Sequence, residues 1–422
     1  MSAETTAPGQ APAEAPPPTR FGRINVFTRL AAWAGLDPRL LGMLAALAVI
    51  WIGFHPLTER TFLTPRNLWN LMVQSSVVGV MVGGMVLVIV ARQIDLSVGS
   101  VLGFVGMVMA FIQAQVFPLE VWWNPLATIL VGLSLGALIG AFHGYLIAYL
   151  EVPSFIVTLG SLLAFRGGAW LVTSGRTIAP LDTTYQIFGG GVNGSIGATA
   201  SWIAGIVAMA LIVWYFLSSR ARRRRYGFTV RPLWGESLVL SLNLAFVAGF
   251  VWLMNSYPYP GTTEPRGLPV PVLIMLGLGV LMSTVLRSTK FWRYVFAIGG
   301  NPEAARFSGI PTRRITLIVF MIMGVLAAVA GIIATARLNA GTNSAGELSE
   351  LSVIAAAVIG GTSLSGGVGS IPGALIGAVL MESLRNGMVL MDLPSAMQNV
   401  VQGSVLVLAV WLDVIYQRYR RR

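Results

Sequence analysis

The feature that most constrains this chain is a succession of apolar runs, most of them long enough to cross a lipid bilayer. A spanning helix needs roughly 20 mostly apolar residues. Candidate spans lie near 40–56, 70–90, 97–117, 126–150, 155–174, 199–219, 236–256, 269–286, 315–336, 370–391 and 398–416. A further run at 351–360 is too short to cross alone. It reads as a half-helix, or as the end of a span that begins in the preceding loop. Charged residues make up 10% of the chain, against about 25% in a soluble domain. The expected fold is therefore all-α: a polytopic membrane bundle of about 10–12 transmembrane helices, with possible half-helices.

Arginine and lysine set the orientation, because basic residues are retained on the cytoplasmic side. Twenty of the 28 fall in four segments: Arg20 to Arg39, Arg220 to Arg231, Arg287 to Arg314, and Arg418 to Arg422. An even number of candidate crossings separates each successive pair, counting the short run as one. All four then face the cytoplasm, both termini are inside, and the net charge of +12 reflects topology and not nucleic-acid binding. Residues 1–38 begin with a Pro-, Ala- and Thr-rich stretch without an apolar run, which predicts a disordered cytoplasmic tail. They also lack the apolar core of a cleavable signal peptide. A transmembrane domain over 39–417 and a basic tail over 418–422 complete the expected organisation.

Several chemistries are excluded by residue supply. The chain has no cysteine and only two histidines, His55 and His143, so no thiolate or histidine-based metal site is expected. The single lysine, Lys290, is followed by Phe291. No Gly-x-x-x-x-Gly-Lys-Ser/Thr loop exists, and the chain cannot hydrolyse ATP by that route. No His-Glu-x-x-His helix occurs. An intramembrane enzyme or a non-transporting scaffold thus has little to stand on.

Glycine spacing points to helix packing. Gly132, Gly136, Gly140 and Gly144 recur every fourth residue within one span, forming a single small-residue face that lets two backbones approach closely. Gly79 and Gly83 repeat the spacing, as do Gly373 and Gly377. Two polar breaks in the apolar pattern, Gln93 to Ser100 and Thr362 to Ser370, resemble each other and fall on the same predicted side, as two halves of an internal repeat would.

One basic loop, 299–311, encodes a short helix by itself. Asn301 can cap it, Pro302 suits its first position, and Glu303 complements its positive end. Gly309 offers a left-handed stop and Pro311 blocks continuation. On local physics alone this is a connecting loop with a helical turn or a docking element.

The stretch Glu303-Ala304-Ala305-x-x-x-Gly309 resembles the coupling loop of ATP-binding-cassette importer permeases. Gly84 to Ile89 leading into Ile94 to Ser100, Val152 to Gly160 with Arg166-Gly167, Phe296 to Ile310, and Val358 to Gly367 resemble the branch that imports monosaccharides. Together they run in one order from about residue 70 to 415. The extra span near 236–256 is similar to xylose-type members of that branch, whereas Ala91-Arg92-Gln93 departs from the small residues usual there. The resemblance implies a bacterial inner-membrane subunit that pairs with a second copy of itself. It also implies a cytoplasmic ATPase that binds ATP and magnesium, a periplasmic sugar-binding protein, and contact with that ATPase through Asn301, Glu303, Ala304, Ala305 and Gly309. No cofactor is expected in the chain itself.

Polar residues within or beside the spans are the substrate-path candidates: Gln74, Asp95, Arg166 and Asn386. Such groups are costly in hydrocarbon unless paired or facing a wet cavity. The amides of Gln74 and Asn386 can donate to and accept from sugar hydroxyls. Asp95 precedes a helix and is expected to accept backbone N–H bonds as a cap, while Glu382 and Arg385 are spaced to pair on one helix face. The rival expectation is an ion-coupled transporter that needs no ATPase. It would require an ionisable relay inside the bundle.

Overall fold

The computed structural model describes residues 38–228 and 233–421. The expected N-terminal tail lies outside them, save for its last residue, as do Arg231 and Arg422. The first helices are α1 (Pro38–Leu57), α2 (Pro65–Val90), α3 (Val98–Phe111, extended by a π-helical turn to Val116), α4 (Asn124–Ala148) and α5 (Ser154–Thr173). A single turn, Thr183–Gln186, precedes α6 (Gly197–Arg225), α7 (Leu233–Asn255) and α8 (Val270–Ser288). Then come α9 (Lys290–Gly300), α10 (Pro302–Phe307), α11 (Thr312–Leu338), α12 (Ser349–Ile359), α13 (Ile371–Leu390) and α14 (Ser395–Arg421). Among the described residues, nine helices are long and apolar enough to span a bilayer, and α8, α12 and α14 carry shorter apolar stretches. The fold is a polytopic all-α bundle, and each candidate span corresponds to one helix.

Helix α2 is the axis of the bundle, with 89% of its apolar window buried. It packs against α8, α11, α12 and α13. The glycine stripe of α4 lies along α11. A Cβ on Gly140 would collide with the Phe320 carbonyl and stand 2.8 Å from Met321 Cα, and one on Gly144 would stand 2.6 Å from Leu317 Cα. Gly136 faces Gly324, which meets it reciprocally. Gly132 is opposed only by the flexible Met109 side chain. Gly373 and Gly377 bring α13 onto the carbonyls of Gly360, which caps α12, and of Ala356 within it. Gly79 packs on Met275, but a Cβ on Gly83 would meet nothing closer than 3.9 Å, so the repeat makes a close approach at only one of its two positions.

Helix α12 crosses only part of the bundle, and the segment before it explains why. Residues 339–348 leave the end of α11, exchange backbone hydrogen bonds between Gly341 and Ile178 (3.0 and 2.9 Å), and run down beside α3. Gly341 lies against Ala110, and Gly346 lies against Gly99 and Leu102. The helix starts only there, next to the start of α3. It then runs antiparallel to α13, to the end where α2 finishes. At the other end, the loop before α8 is pinned by Arg266. That residue stacks 4.6 Å from the Tyr257 ring and 5.2 Å from Trp69 of α2, while Trp69 Nε1 donates to the Gly267 carbonyl at 3.0 Å.

Candidate functional site

The short helix α10 forms as its local signals dictate. Asn301 adopts extended backbone and its side chain accepts from the Ala304 N–H at 3.0 Å, with Pro302 in the first turn. Gly309 sits at φ +78°, beyond the Ser308 cap. Ala305 is 4% exposed and fastens the helix to the core, whereas Glu303, Ala304 and Arg306 are exposed and Phe307 is 89% exposed. A six-residue helix with one buried alanine and an exposed apolar tip is held firmly but covered little. It lies at the end of the bundle where Arg313 pairs with Glu151 at 3.0 Å and Arg220 pairs with Glu236.

Beside it, the end of α2, just ahead of the first polar break, meets the second one. The Gly367 N–H donates to the Val90 carbonyl at 3.0 Å, and Arg92 donates from Nε to the Ser365 carbonyl and from Nη2 to the Gly300 carbonyl, both at 2.9 Å. Arg92 occupies the left-handed position (φ +61°) that closes α2, with the Gln93 N–H bonded back to Val88. Glycine is the low-cost residue there, and a side chain costs about 1 kcal/mol. The departure noted at Ala91-Arg92-Gln93 thus places a forked donor between two loops.

The interior candidates are spread through the bundle and do not converge on one cavity. Asp95 is 3% exposed, and its Oδ1 accepts from the Ser97 N–H (2.8 Å) and Ser97 hydroxyl (2.6 Å). Helix α3 begins at Val98 with Ser97 as the cap position, so Asp95 closes an Asx turn ahead of the helix and does not cap it. The carboxylate stands two residues ahead of the cap position and is taken up by Ser97 itself. Arg166, from α5, donates to the carbonyls of Asn343 (3.1 Å) and Ala345 (2.9 Å) and so clamps the segment before α12. Asn386 is 6% exposed, and its carbonyl accepts from Asn67 Nδ2 of α2 at 2.8 Å. Gln74 is half-buried on α2.

The expected pair of Glu382 and Arg385 does not form. Glu382 is 3% exposed while Arg385 is exposed, and the pair is absent from the ion pairs of the described residues. A three-residue step leaves two side chains about 60° apart around a helix, and here the edge of the buried face falls between them.

Sequence reasoning passed over two interior groups. His143 of α4 is 2% exposed, its ring 5.9 Å from that of Phe165, and its Nε2 is buried without a hydrogen-bond partner. Glu350, in the first turn of α12, is 6% exposed, with Oε2 likewise unpartnered. Asp95 lies within electrostatic reach of both, and Arg166 of Glu350. The available signal was an acid at the head of an apolar run too short to span.

Comparison with known proteins bears on this arrangement. The xylose transport system permease protein of Haemophilus influenzae is 42% identical over 373 residues, covering 88% of this chain and 95% of the relative. Its Escherichia coli counterpart is 42% identical over 391 residues, covering 91% and 93%. The ribose import permease protein of Escherichia coli is 34% identical over 387 residues, covering 92% and 95%. No solved structure matches. A family model described as the permease component of branched-chain amino acid transport systems matches residues 67–410. The match spans the bundle from α2 to α14, and this chain belongs to that family of transport-system permease components.

Proposed function

We propose that this chain is the membrane-spanning subunit of an ATP-driven importer for a monosaccharide, with a pentose such as xylose as its cargo. The observation that carries the reading is α10, a self-capped helix presented almost bare at the basic end of the bundle. In this reading the basic end is cytoplasmic, the membrane is the bacterial inner membrane, and both termini lie inside. A cytoplasmic ATPase holds ATP and magnesium and contacts Asn301, Glu303, Ala304, Ala305 and Gly309. A periplasmic sugar-binding protein delivers the cargo to the opposite end, and a second copy of the chain completes the path.

Neutral sugars need only weak, reversible contacts, which suits scattered amides and not a convergent charged site. Gln74 and Asn386 are the proposed sugar contacts, Asn386 after release from Asn67. Asp95 and Arg166 shape the path by holding its turns.

The test is uptake of labelled xylose into proteoliposomes containing the chain, the ATPase and the binding protein. ATP-dependent uptake is expected, with deletion of 303–309 abolishing it while the bundle stays folded. Full ATP-driven uptake by the deletion variant, or gradient-driven uptake by the chain alone, would overturn the reading.

A further inference from the structure

The contact network around Arg92 has a mechanical consequence. Three elements converge at the end of α2. The first is Gly300, the last residue of α9, which directly precedes the Asn301 cap of α10. The second is the turn between α12 and α13, which contributes the Ser365 carbonyl and the Gly367 N–H. The third is α2 itself, through the Val90 carbonyl and the Arg92 guanidinium.

The packing leaves little slack. A Cβ on Gly299 would collide with the Val90 carbonyl, and one on Gly366 would collide with Arg92 Cγ. Both donor bonds from Arg92 span elements remote in sequence, 208 and 273 residues away. A planar guanidinium can hold two carbonyls at once in a fixed geometry, which a lysine ammonium cannot match.

We propose that Arg92 is a positioning residue that ties the base of α10 to the α12–α13 turn, so that displacement of α10 moves α12. Helix α12 begins at the interior contact between Gly99 and Glu350, where the starts of α3 and α12 meet beside Asp95. Arg92 thereby links the ATPase-facing end, through α12, to that interior contact. This rests on α10 being the ATPase contact.

The experiment uses the full complex and compares Arg92→Gly and Arg92→Lys with the parent chain. Arg92→Gly keeps the left-handed turn and removes only the fork. It is expected to co-purify with the ATPase and hydrolyse ATP at the parental basal rate, while xylose imported per ATP falls about tenfold. Arg92→Lys, reaching one carbonyl, is expected to fall about threefold. A ratio within twofold of the parent for Arg92→Gly overturns the proposal. So does a loss that merely tracks reduced ATPase binding or a lower melting temperature. If Arg92→Gly fails to assemble, an unchanged ratio in Arg92→Lys overturns it equally. The companion variant Glu303→Arg tests the underlying reading separately: undiminished ATPase co-purification and ATP-driven uptake there would remove α10 as the contact, whatever Arg92 does.

Discussion

Helices α2 and α7 have nearly the same hydropathy, 2.2 and 2.0, yet 89% of one apolar window is buried and only 11% of the other. Helix α6, at 2.1, resembles α7 with 11% buried. In a soluble protein such sequences would all seek the core. In a bilayer the lipid is as apolar as the protein interior, so hydropathy decides membrane entry and says nothing about burial. What separates the helices is the opportunity for close approach. Helix α2 carries Ser75, Ser76, Gly79 and Gly84, and a Cβ on Gly84 would stand 3.3 Å from Met323 Cα of α11. A Cβ on Gly249 of α7 would meet nothing within 4 Å.

That contrast is broken most directly on the α4–α11 face. Gly140→Leu should cost about 3 kcal/mol or more, because the atoms it meets are backbone and cannot turn aside. The measurement is thermal unfolding in detergent, and a melting temperature like the parent's would contradict the packing account.

Next in size is Asn301→Ala, expected to cost α10 about 1 kcal/mol through loss of its cap. Uptake per ATP should fall while the unfolding midpoint of the bundle barely moves. A parallel fall in both would mean that α10 belongs to the core and not to a separate surface element.

Asn67→Ala tests the polar link between α2 and α13. Interhelical hydrogen bonds in membranes average about 0.6 kcal/mol, so its stability loss should be well below that of Gly140→Leu. A loss as large as the glycine variant's would shift the weight of α2's burial from small residues to hydrogen bonds.

The smallest effect is expected at the periphery. Gly249→Leu should stay within about 0.5 kcal/mol of the parent, with uptake unchanged. A clear destabilisation would show that α7 is covered by a partner in the assembled complex, which makes this variant informative about the second copy as well.

The sequence was most legible where the governing physics is local. Span positions follow from apolar run length, and α10 follows from Asn301, Pro302 and Gly309 acting within one turn. Asp95 was half legible: its acceptor role is local, but a helix start two residues further on makes it the acceptor of a turn and not of a cap. The Glu382–Arg385 pair failed because spacing alone does not say which sector of a helix is buried. Arg92 stood out only as a departure from pattern.

By itself, then, the sequence determined an all-α membrane bundle, the clustering of its basic residues, a self-capped helix between Asn301 and Gly309, and the absence of a phosphate-binding loop. Only the tertiary structure decided that α2 is the axis, that α12 begins beside Gly99 at partial depth, and that Arg92 joins Gly300 to Ser365. Run length, caps and turns are encoded within a few residues of each other. Burial in lipid and bonds between residues more than 200 positions apart depend on which surfaces can approach, and no local signal carries that.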